Sequence, residues 1–291
     1  MVQSMTGFGK ATAELEARKI TVEVKSLNSK QFDLSVRMPS LYKDKEMGIR
    51  NLLSKKLERG KIDFLIYIEN IGKETTVQVN QNIVEAYYTQ ISESAQKLGI
   101  SVPQDWFQVI LRLPDTLKHE TQEFDEQEWK VIEETIDAAI GQLVDFRKQE
   151  GTMLENLFKE KILKISNLMK DIVPYEVERV EKVKLRIAEA LQKIENFDYD
   201  KNRFEQEMVY YIEKLDINEE KSRLDNHLRY FLETMTEASQ GQGKKLGFIA
   251  QEIGREVNTM GSKSSHAEMQ RIVVQMKDEL EQMKEQILNV M

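Results

Sequence analysis

The sequence predicts an α+β protein, with a small mixed α/β domain at the N-terminus and a mainly helical domain that ends in a long helix. Alternating apolar and polar residues near the N-terminus are typical of strands. From about residue 80 onward, apolar residues recur at helical spacing. Glycine and proline are scarce, at 13 and 4 of 291 residues, so long irregular segments are not expected.

The N-terminal elements follow from local patterns. Two alternating segments and one largely apolar run predict strands at residues 20–24, 32–36 and 64–68. The LNSK sequence between the first two strands has the composition of a hairpin turn. A helical pattern then covers residues 41–57, and Gly60 follows its end.

Helical patterning dominates the rest of the chain. Prolines interrupt it, because the residue before a proline disfavours helix. The predicted helices cover residues 81–98, 126–170, 174–195, 202–214, 217–239, 245–260 and 265–290. The chain is long for a single core, so we expect an N-terminal domain over residues 1–155 and a helical C-terminal domain over residues 156–291 that carries the active site.

A regular apolar stripe runs along the last predicted helix. Its residues alternate spacings of four and three, as in a coiled coil: Met269, Val273, Met276, Leu280, Met283, Ile287 and Val290. Three heptads are marginally stable alone, so the stripe needs a partner helix. The sequence leaves open whether that helix belongs to the same chain or to a second copy.

Composition and motifs exclude several chemistries. The chain has no cysteine, which removes disulfides, thiolate metal sites and cysteine nucleophiles and suits a reducing compartment. It contains no signal-peptide pattern and no apolar run of about 20 residues, so we expect a soluble cytoplasmic protein with no membrane partner. P-loop, dinucleotide-binding, HExxH and GxSxG motifs are absent.

Charge is distributed unevenly along the chain. Residues 1–72 hold 13 Lys and Arg against 9 Asp and Glu, although the whole chain has a formal net charge of −8. A local basic surface can bind phosphate on a protein that is acidic overall. The distribution therefore permits RNA binding without establishing it.

The first candidate site is a polar stripe that ends at a histidine. Asp216, Glu220, Arg223 and His227 lie within about 60° of one another at 100° per residue, so a helix aligns two acids, a guanidinium and an imidazole. Helix capping and ordinary spaced ion pairs explain the same pattern, and spacing alone favours that simpler interpretation.

The second candidate site contains two glutamates on successive turns. Glu252 and Glu256 share a helix flank, and exposed carboxylates at this spacing repel by only about 0.2–0.5 kcal/mol, so the pair alone is weak evidence. Carboxylates are the ligands that Mg²⁺ and Mn²⁺ prefer, and such cations can activate water at a phosphodiester. Arg255 and Lys263 are suited to holding phosphate.

Three glycines accompany this segment at seven-residue intervals. Gly247, Gly254 and Gly261 lie on one side of the predicted helix. Each costs about 1 kcal/mol relative to alanine in a helix interior. The pattern therefore predicts close approach by another helix or by a ligand, and tight helix packing is the commoner cause.

Several segments resemble the YicC/YloC family of bacterial proteins. They begin near the N-terminus and continue into the last quarter of the chain. The matching segments are 4–9 (SMTGFG), 23–28 (EVKSLN), 37–39 (RMP), 59–61 (RGK), 113–114 (LP), 147–151 (RKQEG), 223–227 (RLDNH) and 251–264 (QEIGREVNTMGSKS).

The resemblance implies an endoribonuclease that forms a homo-oligomer, described as a hexamer, around RNA, with other RNA-decay enzymes as further candidate partners. It places the candidate site at His227, Glu252, Arg255, Glu256, Asn258 and Lys263, with Asp216, Glu220 and Arg223 nearby. From the chemistry of these side chains, we expect catalytic roles for His227, Glu252 and Glu256, which are also the candidate ligands of a divalent cation, Mg²⁺ or Mn²⁺. The expected RNA-binding residues are Arg223, Arg255, Asn258 and Lys263, with a wider electrostatic track of Lys25, Lys30, Arg37, Arg59 and Lys61.

Two alternatives stay open. Cleavage without a metal requires a base that removes the 2′-OH proton, and a single nearby histidine then needs a glutamate partner. A non-catalytic adaptor, which presents RNA to a separate nuclease, accounts for the same charged stripes.

The sequence also departs from the family pattern. Gly247 replaces a common aspartate and Ser29 a frequent histidine, so neither position can supply an acid or a base. Lys10 and Lys30 replace common arginines, and they retain the charge without bidentate phosphate geometry.

Overall fold

The computed structural model describes residues 2–15, 18–29, 31–71, 77–119, 125–192, 201–237 and 241–291. It confirms the α+β class, with a mixed sheet in the N-terminal part and helices in the C-terminal part. Among the described residues, no helix combines the length and the apolar character needed to span a membrane.

The secondary structure follows the predicted order and adds elements to it. The strands are β1 (Gly7–Glu14), β2 (Arg18–Leu27), β3 (Phe32–Arg37), β4 (Gly60–Asn70), β5 (Val77–Val79) and β6 (Leu117–His119). The helices are α1 (Glu46–Leu57, after a 3₁₀ helix at Ser40–Lys45), α2 (Gln81–Leu98), α3 (Trp106–Ile110), α4 (Glu126–Asp171), α5 (Val173–Gln192), α6 (Lys201–Leu215), α7 (Asn218–Thr236), α8 (Gln242–Lys263) and α9 (Ala267–Ile287).

The main sheet has the strand order β1-β2-β4-β3, so the predicted hairpin between β2 and β3 is wrong. Strand β4 lies between them, antiparallel to β2 and parallel to β3. The chain reaches β4 through α1, which makes β3-α1-β4 a crossover between parallel strands. Ile62, Phe64 and Ile66 of β4 are buried, which explains why this strand occupies the interior of the sheet.

One face of the sheet is covered and the other is open. The covered face contributes Ile20, Val22, Val24, Ile62, Phe64 and Ile66 to a core with α1 and the first half of α4. Each fully buried aliphatic or aromatic side chain contributes about 1.5–3 kcal/mol. The open face carries the alternate residues of each strand, as the two-residue side-chain period requires.

Helix α4 joins the two parts of the molecule. It is 46 residues long, and the predicted boundary between residues 155 and 156 falls inside it. Its first half packs on the sheet through Ile136 and Leu143, and its second half enters the helical core through Phe158 and Ile165. The two parts therefore share one continuous helix.

The apolar stripe of α9 finds its partner within the same chain. Residues such as Met276, Leu280 and Met283 are buried in the core formed by α4, α7, α8 and α9. A Cβ atom at Gly254 would lie 3.2 Å from the Leu280 side chain, and one at Gly261 would lie 3.1 Å from the Val273 side chain. The glycine repeat thus serves close packing of α8 on α9.

Four of the family-like segments meet at one buried guanidinium. Arg147 is 2% exposed and donates hydrogen bonds to the Ser26 hydroxyl at 2.6 Å and to the main-chain carbonyls of Met5, Leu57 and Arg59. Burial lowers the pKa of Arg147 to about 10. These segments therefore have a structural role, since Arg147 ties α4 to β2, to the end of α1 and to the residues just before β1 and β4.

Candidate active site

The candidate site lies on an antiparallel pair of helices, α7 and α8. At the loop end, the Gln242 side-chain amide donates to the carbonyls of Thr234 and Met235 at 2.8 and 2.9 Å. At the other end, Lys263 Nζ donates to the carbonyl of Asp216 at 2.9 Å. The helices are held together between these contacts by apolar side chains that include Leu224, Leu228, Phe231, Ala250, Ile253 and Val257.

These contacts fix which residues of the two helices lie at the same level. Counting equal numbers of residues inward from the Asp216–Lys263 contact places Arg223 level with Glu256, and His227 level with Glu252. The imidazole and the two carboxylates, which are far apart in sequence, therefore belong to the same stretch of the helix pair.

The side chains also lie on facing flanks. On α8, Glu252, Glu256 and Lys263 point within about 40° of one another. On α7, the flank of Glu220 also carries Arg223 and His227. Because Lys263 Nζ lies 2.7 Å from Glu220 Oε1, the two flanks face each other. We call the surface formed by Glu220, Arg223, His227, Glu252, Glu256 and Lys263 the α7–α8 groove.

The groove combines buried and exposed polar groups. Glu256 is 6% exposed, His227 is half-buried, and Glu252 is exposed. Among the described residues, no hydrogen bond or ion pair joins His227 to either glutamate. Glu252 and part of the His227 ring are therefore open to solvent, whereas the Glu256 carboxylate is largely covered.

The cations of the groove are already paired. Arg223 binds Glu219 on its own helix, and Lys263 binds Glu220 and the carbonyl of Asp216. Glu220 is buried, and one of its oxygens has no partner among the described residues. Phosphate binding by Arg223 or Lys263 would therefore compete with these ion pairs.

Two residues expected at the site lie outside the groove. Arg255 and Asn258 are rotated by about 100° and 160° from Glu256 on α8, and both are exposed. The guanidinium of Arg255 lies 3.9 Å from Glu252, so it borders the groove. Asn258 is on the opposite side of the helix from Glu256.

The predicted electrostatic track is a surface of mixed charge. Lys25, Arg37 and Lys61 lie on the open face of the sheet, and Lys30 lies outside the described residues. Carboxylates are interleaved with these cations, at Glu23, Asp33, Asp63 and Glu69. Lys25 lies 3.5 Å from Glu23, and Arg59 instead donates to the Ser29 carbonyl at 3.0 Å. This face is therefore not uniformly basic.

Sequence patterns missed a second polar cluster, where α5 meets the start of α9. His266 is 8% exposed and stacks on Tyr175, with ring centroids 5.3 Å apart. Its Nε2 lies 3.2 Å from Lys182 and 3.5 Å from Glu178. The Lys182 hydrogen bond also lowers the pKa of Glu178. No local period connects α5 with a residue more than 80 positions later, so only the fold reveals this contact.

The side-chain oxygens of the groove supply some, but not all, of the ligands that a hard cation needs. Within the described residues, no three His, Asp or Glu side chains come together as a metal-ligand set. Glu252 and Glu256 offer two carboxylates on successive turns. Mg²⁺ is commonly held by one or two carboxylates together with water and phosphate oxygens, so the pair fits a site that substrate completes.

The fold and the groove define a class: a two-part α+β protein that carries carboxylates and an imidazole on one helix pair. The family model described as "Endoribonuclease YicC-like, N-terminal region" matches residues 2–156, and that described as "Endoribonuclease YicC-like, C-terminal" matches residues 172–291. The chain belongs to the YicC-like endoribonuclease family, which confirms the resemblance noted above.

Two relatives extend over the whole length. The chain is 31% identical over 296 residues to the "Probable endoribonuclease YicC" of Clostridioides difficile (strain 630), covering 100% of both chains. It is 28% identical over 306 residues to the protein of the same name from Haemophilus influenzae, again covering 100% of both.

Proposed function

We propose that this protein is an endoribonuclease that cleaves RNA phosphodiester bonds in the α7–α8 groove. The observation that carries the proposal is the full-length similarity to proteins named as probable endoribonucleases. The groove supports it, because an imidazole and two carboxylates lie on facing flanks of one helix pair, and His227 and Glu252 are accessible from outside.

The proposed roles follow from the chemistry of each group. Glu252 and Glu256 would hold Mg²⁺ or Mn²⁺, which supplies an activated water and stabilises charge on the phosphate. His227 would act as an acid or base. Arg223 and Arg255 would hold the phosphate oxygens beside the cleaved bond, since guanidinium groups match phosphate geometry.

The proposed working form is a homo-oligomer around the RNA, with six subunits expected from the family resemblance. Exposed apolar residues in two parts of the chain support association with further copies. The unit formed by β5, α2, α3 and β6 exposes Leu98, Ile100, Phe107 and Leu117, and helices α5 and α6 expose Val177, Leu185, Val209 and Tyr210. Large exposed apolar patches commonly mark protein interfaces.

Incubation of the purified chain with end-labelled RNA tests the proposal. We expect internal cleavage that stops with EDTA and returns with Mg²⁺ or Mn²⁺. The double variant Glu252→Gln/Glu256→Gln, purified in the same way, controls for a contaminating nuclease. Cleavage that survives EDTA and leaves 2′,3′-cyclic phosphate ends would select the metal-free route instead.

The alternative is an adaptor that binds RNA and presents it to another nuclease. The ion pairs of Arg223 with Glu219 and of Lys263 with Glu220 favour it, because they account for these charges without catalysis. The same experiment distinguishes the two functions. An adaptor retards the RNA on a native gel and leaves its length unchanged.

A further inference from the structure

Two exposed aromatic rings flank the α7–α8 groove near its loop end. Tyr230 on α7 is 43% exposed, and Phe248 on α8 is 56% exposed. Neither ring belongs to the buried core of the described residues. Exposing two large rings beside a polar groove costs burial free energy that packing inward would recover, so these rings are candidates for a binding role.

Each ring has a lysine beside it. The Lys245 ammonium lies 5.1 Å from the centroid of the Tyr230 ring, and the Lys244 ammonium lies 5.9 Å from that of Phe248. Lys245 also pairs with Glu237 at 2.8 Å, whereas no carboxylate within the described part of the chain pairs with Lys244. The loop end of the groove thus presents two aromatic surfaces and at least one cation available to phosphate.

The rings lie one helical turn from the proposed catalytic groups. Tyr230 follows His227 by three residues, and Phe248 precedes Glu252 by four. One turn advances about 5.4 Å along a helix, which is close to the spacing of adjacent nucleotides in an extended single strand. The register of the helix pair also puts Tyr230 and Phe248 at nearly the same level.

We infer that Tyr230, Phe248, Lys244 and Lys245 form a subsite that stacks an unpaired RNA base next to the cleaved phosphodiester. The inference rests on the proposed function and narrows its substrate to single-stranded RNA. Aromatic side chains bind bases of any sequence through their π-faces, and lysines neutralise the flanking phosphates. A base inside a duplex is already stacked and paired, so it cannot enter the subsite.

The test uses the full chain and a short RNA that carries one 2-aminopurine, either single-stranded or annealed to its complement. Binding to the Glu252→Gln/Glu256→Gln background avoids cleavage during the measurement. We expect the 2-aminopurine fluorescence of the single strand to fall on binding, and that of the duplex, whose bases are already stacked, to stay unchanged when protein is added. Added Tyr230→Ala and Phe248→Ala changes should weaken single-strand binding at least about tenfold and abolish quenching.

Matched variants separate stacking from folding. Tyr230→Phe keeps the ring and should retain quenching, whereas Phe248→Leu keeps apolar bulk and should lose it. Phe146→Ala removes a partly exposed ring on α4 and should change nothing. Wild-type affinity and quenching in a folded Tyr230→Ala/Phe248→Ala protein would overturn the subsite.

Cleavage by the chain without the glutamine changes is measured separately. If single-stranded RNA is bound and quenched but never shortened, the proposed nuclease activity fails and the subsite stands. If the alanine variants cleave and bind like the parent, the subsite fails and the nuclease activity stands.

Discussion

Lys263 Nζ donates a 2.7 Å hydrogen bond to the carboxylate of Glu220, and this contact joins the last turn of α8 to the first turn of α7. The same ammonium bonds the carbonyl of Asp216 at 2.9 Å. The sequence predicts that Lys263 binds phosphate, but in the fold this residue closes one end of the α7–α8 groove. It therefore also maintains the register that sets His227 level with Glu252.

The main expected effect of replacing Lys263 is a lower free energy of unfolding, and not a direct loss of RNA binding. Lys263→Met leaves the buried Glu220 carboxylate unpaired, and breaking such a pair costs about 3 kcal/mol. The double variant Lys263→Met/Glu220→Met should recover most of the loss, since it removes both charges. Urea unfolding of the four proteins in a double-mutant cycle gives the coupling free energy. Additive effects of the two changes would show that the contact does not maintain the register.

The two glutamates of the groove should be needed for cleavage but not for folding. Glu252→Gln and Glu256→Gln keep side-chain size and remove the negative charge that a cation requires, so each should lower the cleavage rate about 100-fold or more. Light scattering should give an unchanged molar mass. Glu268→Gln, at an exposed ion pair on α9, is the control and should cleave normally. Full activity in the double glutamine variant would remove both residues from the mechanism.

The helices and the two flanks of the groove could be predicted because their signals are local. Apolar residues at spacings of three and four specify α4 and α9 within a few residues of their observed ends. The 100° step similarly groups Glu220 with His227 and Glu252 with Glu256. What the sequence could not supply is the contact between the two groups, because it depends on the Lys263–Glu220 bond formed in the folded hairpin.

The elements and contacts that the sequence does not predict correctly depend on residues that are far apart in the chain. Strand β1 has glycine and alanine on its inner side, which weakens the alternation of apolar and polar residues that predicts a strand. The glycines are needed because α4 approaches closely. A Cβ at Gly9 would lie 2.0 Å from the Ala139 carbonyl oxygen. The turn composition of residues 27–30 predicts a β2–β3 hairpin, but the burial of β4 decides the strand order. The packing of His266 on α5 likewise has no local signal.

Two glycines of α4 should respond oppositely to alanine. A Cβ at Gly151 would lie 2.0 Å from the Val2 carbonyl oxygen, so Gly151→Ala forces the N-terminal segment away and should cost about 2–3 kcal/mol. At Gly141 no described atom lies within 4 Å of the new methyl group, and Gly141→Ala should stabilise the helix by about 1 kcal/mol. Thermal unfolding of both variants measures the difference. Equal effects would show that Gly151 is not kept for the close approach of Val2.

Acid should weaken the contact between α4 and α9 through Glu279. The Lys161 ammonium lies 2.6 Å from this carboxylate and, with Lys164, holds the pKa of Glu279 below its ordinary value of 4.5. A lowered pKa means that the pair stabilises the fold above pH 4.5, and that this stabilisation is lost as the pH falls through the lower value. Glu279→Gln should therefore unfold at a lower temperature than the parent at pH 7, and the two proteins should converge at an acid pH below the lowered pKa. Glu285→Gln, which changes an exposed glutamate on the same helix, is the control and should match the parent at both pH values. If the unfolding temperature of Glu279→Gln stays equally far below that of the parent in acid, the loss is due to packing and not to charge.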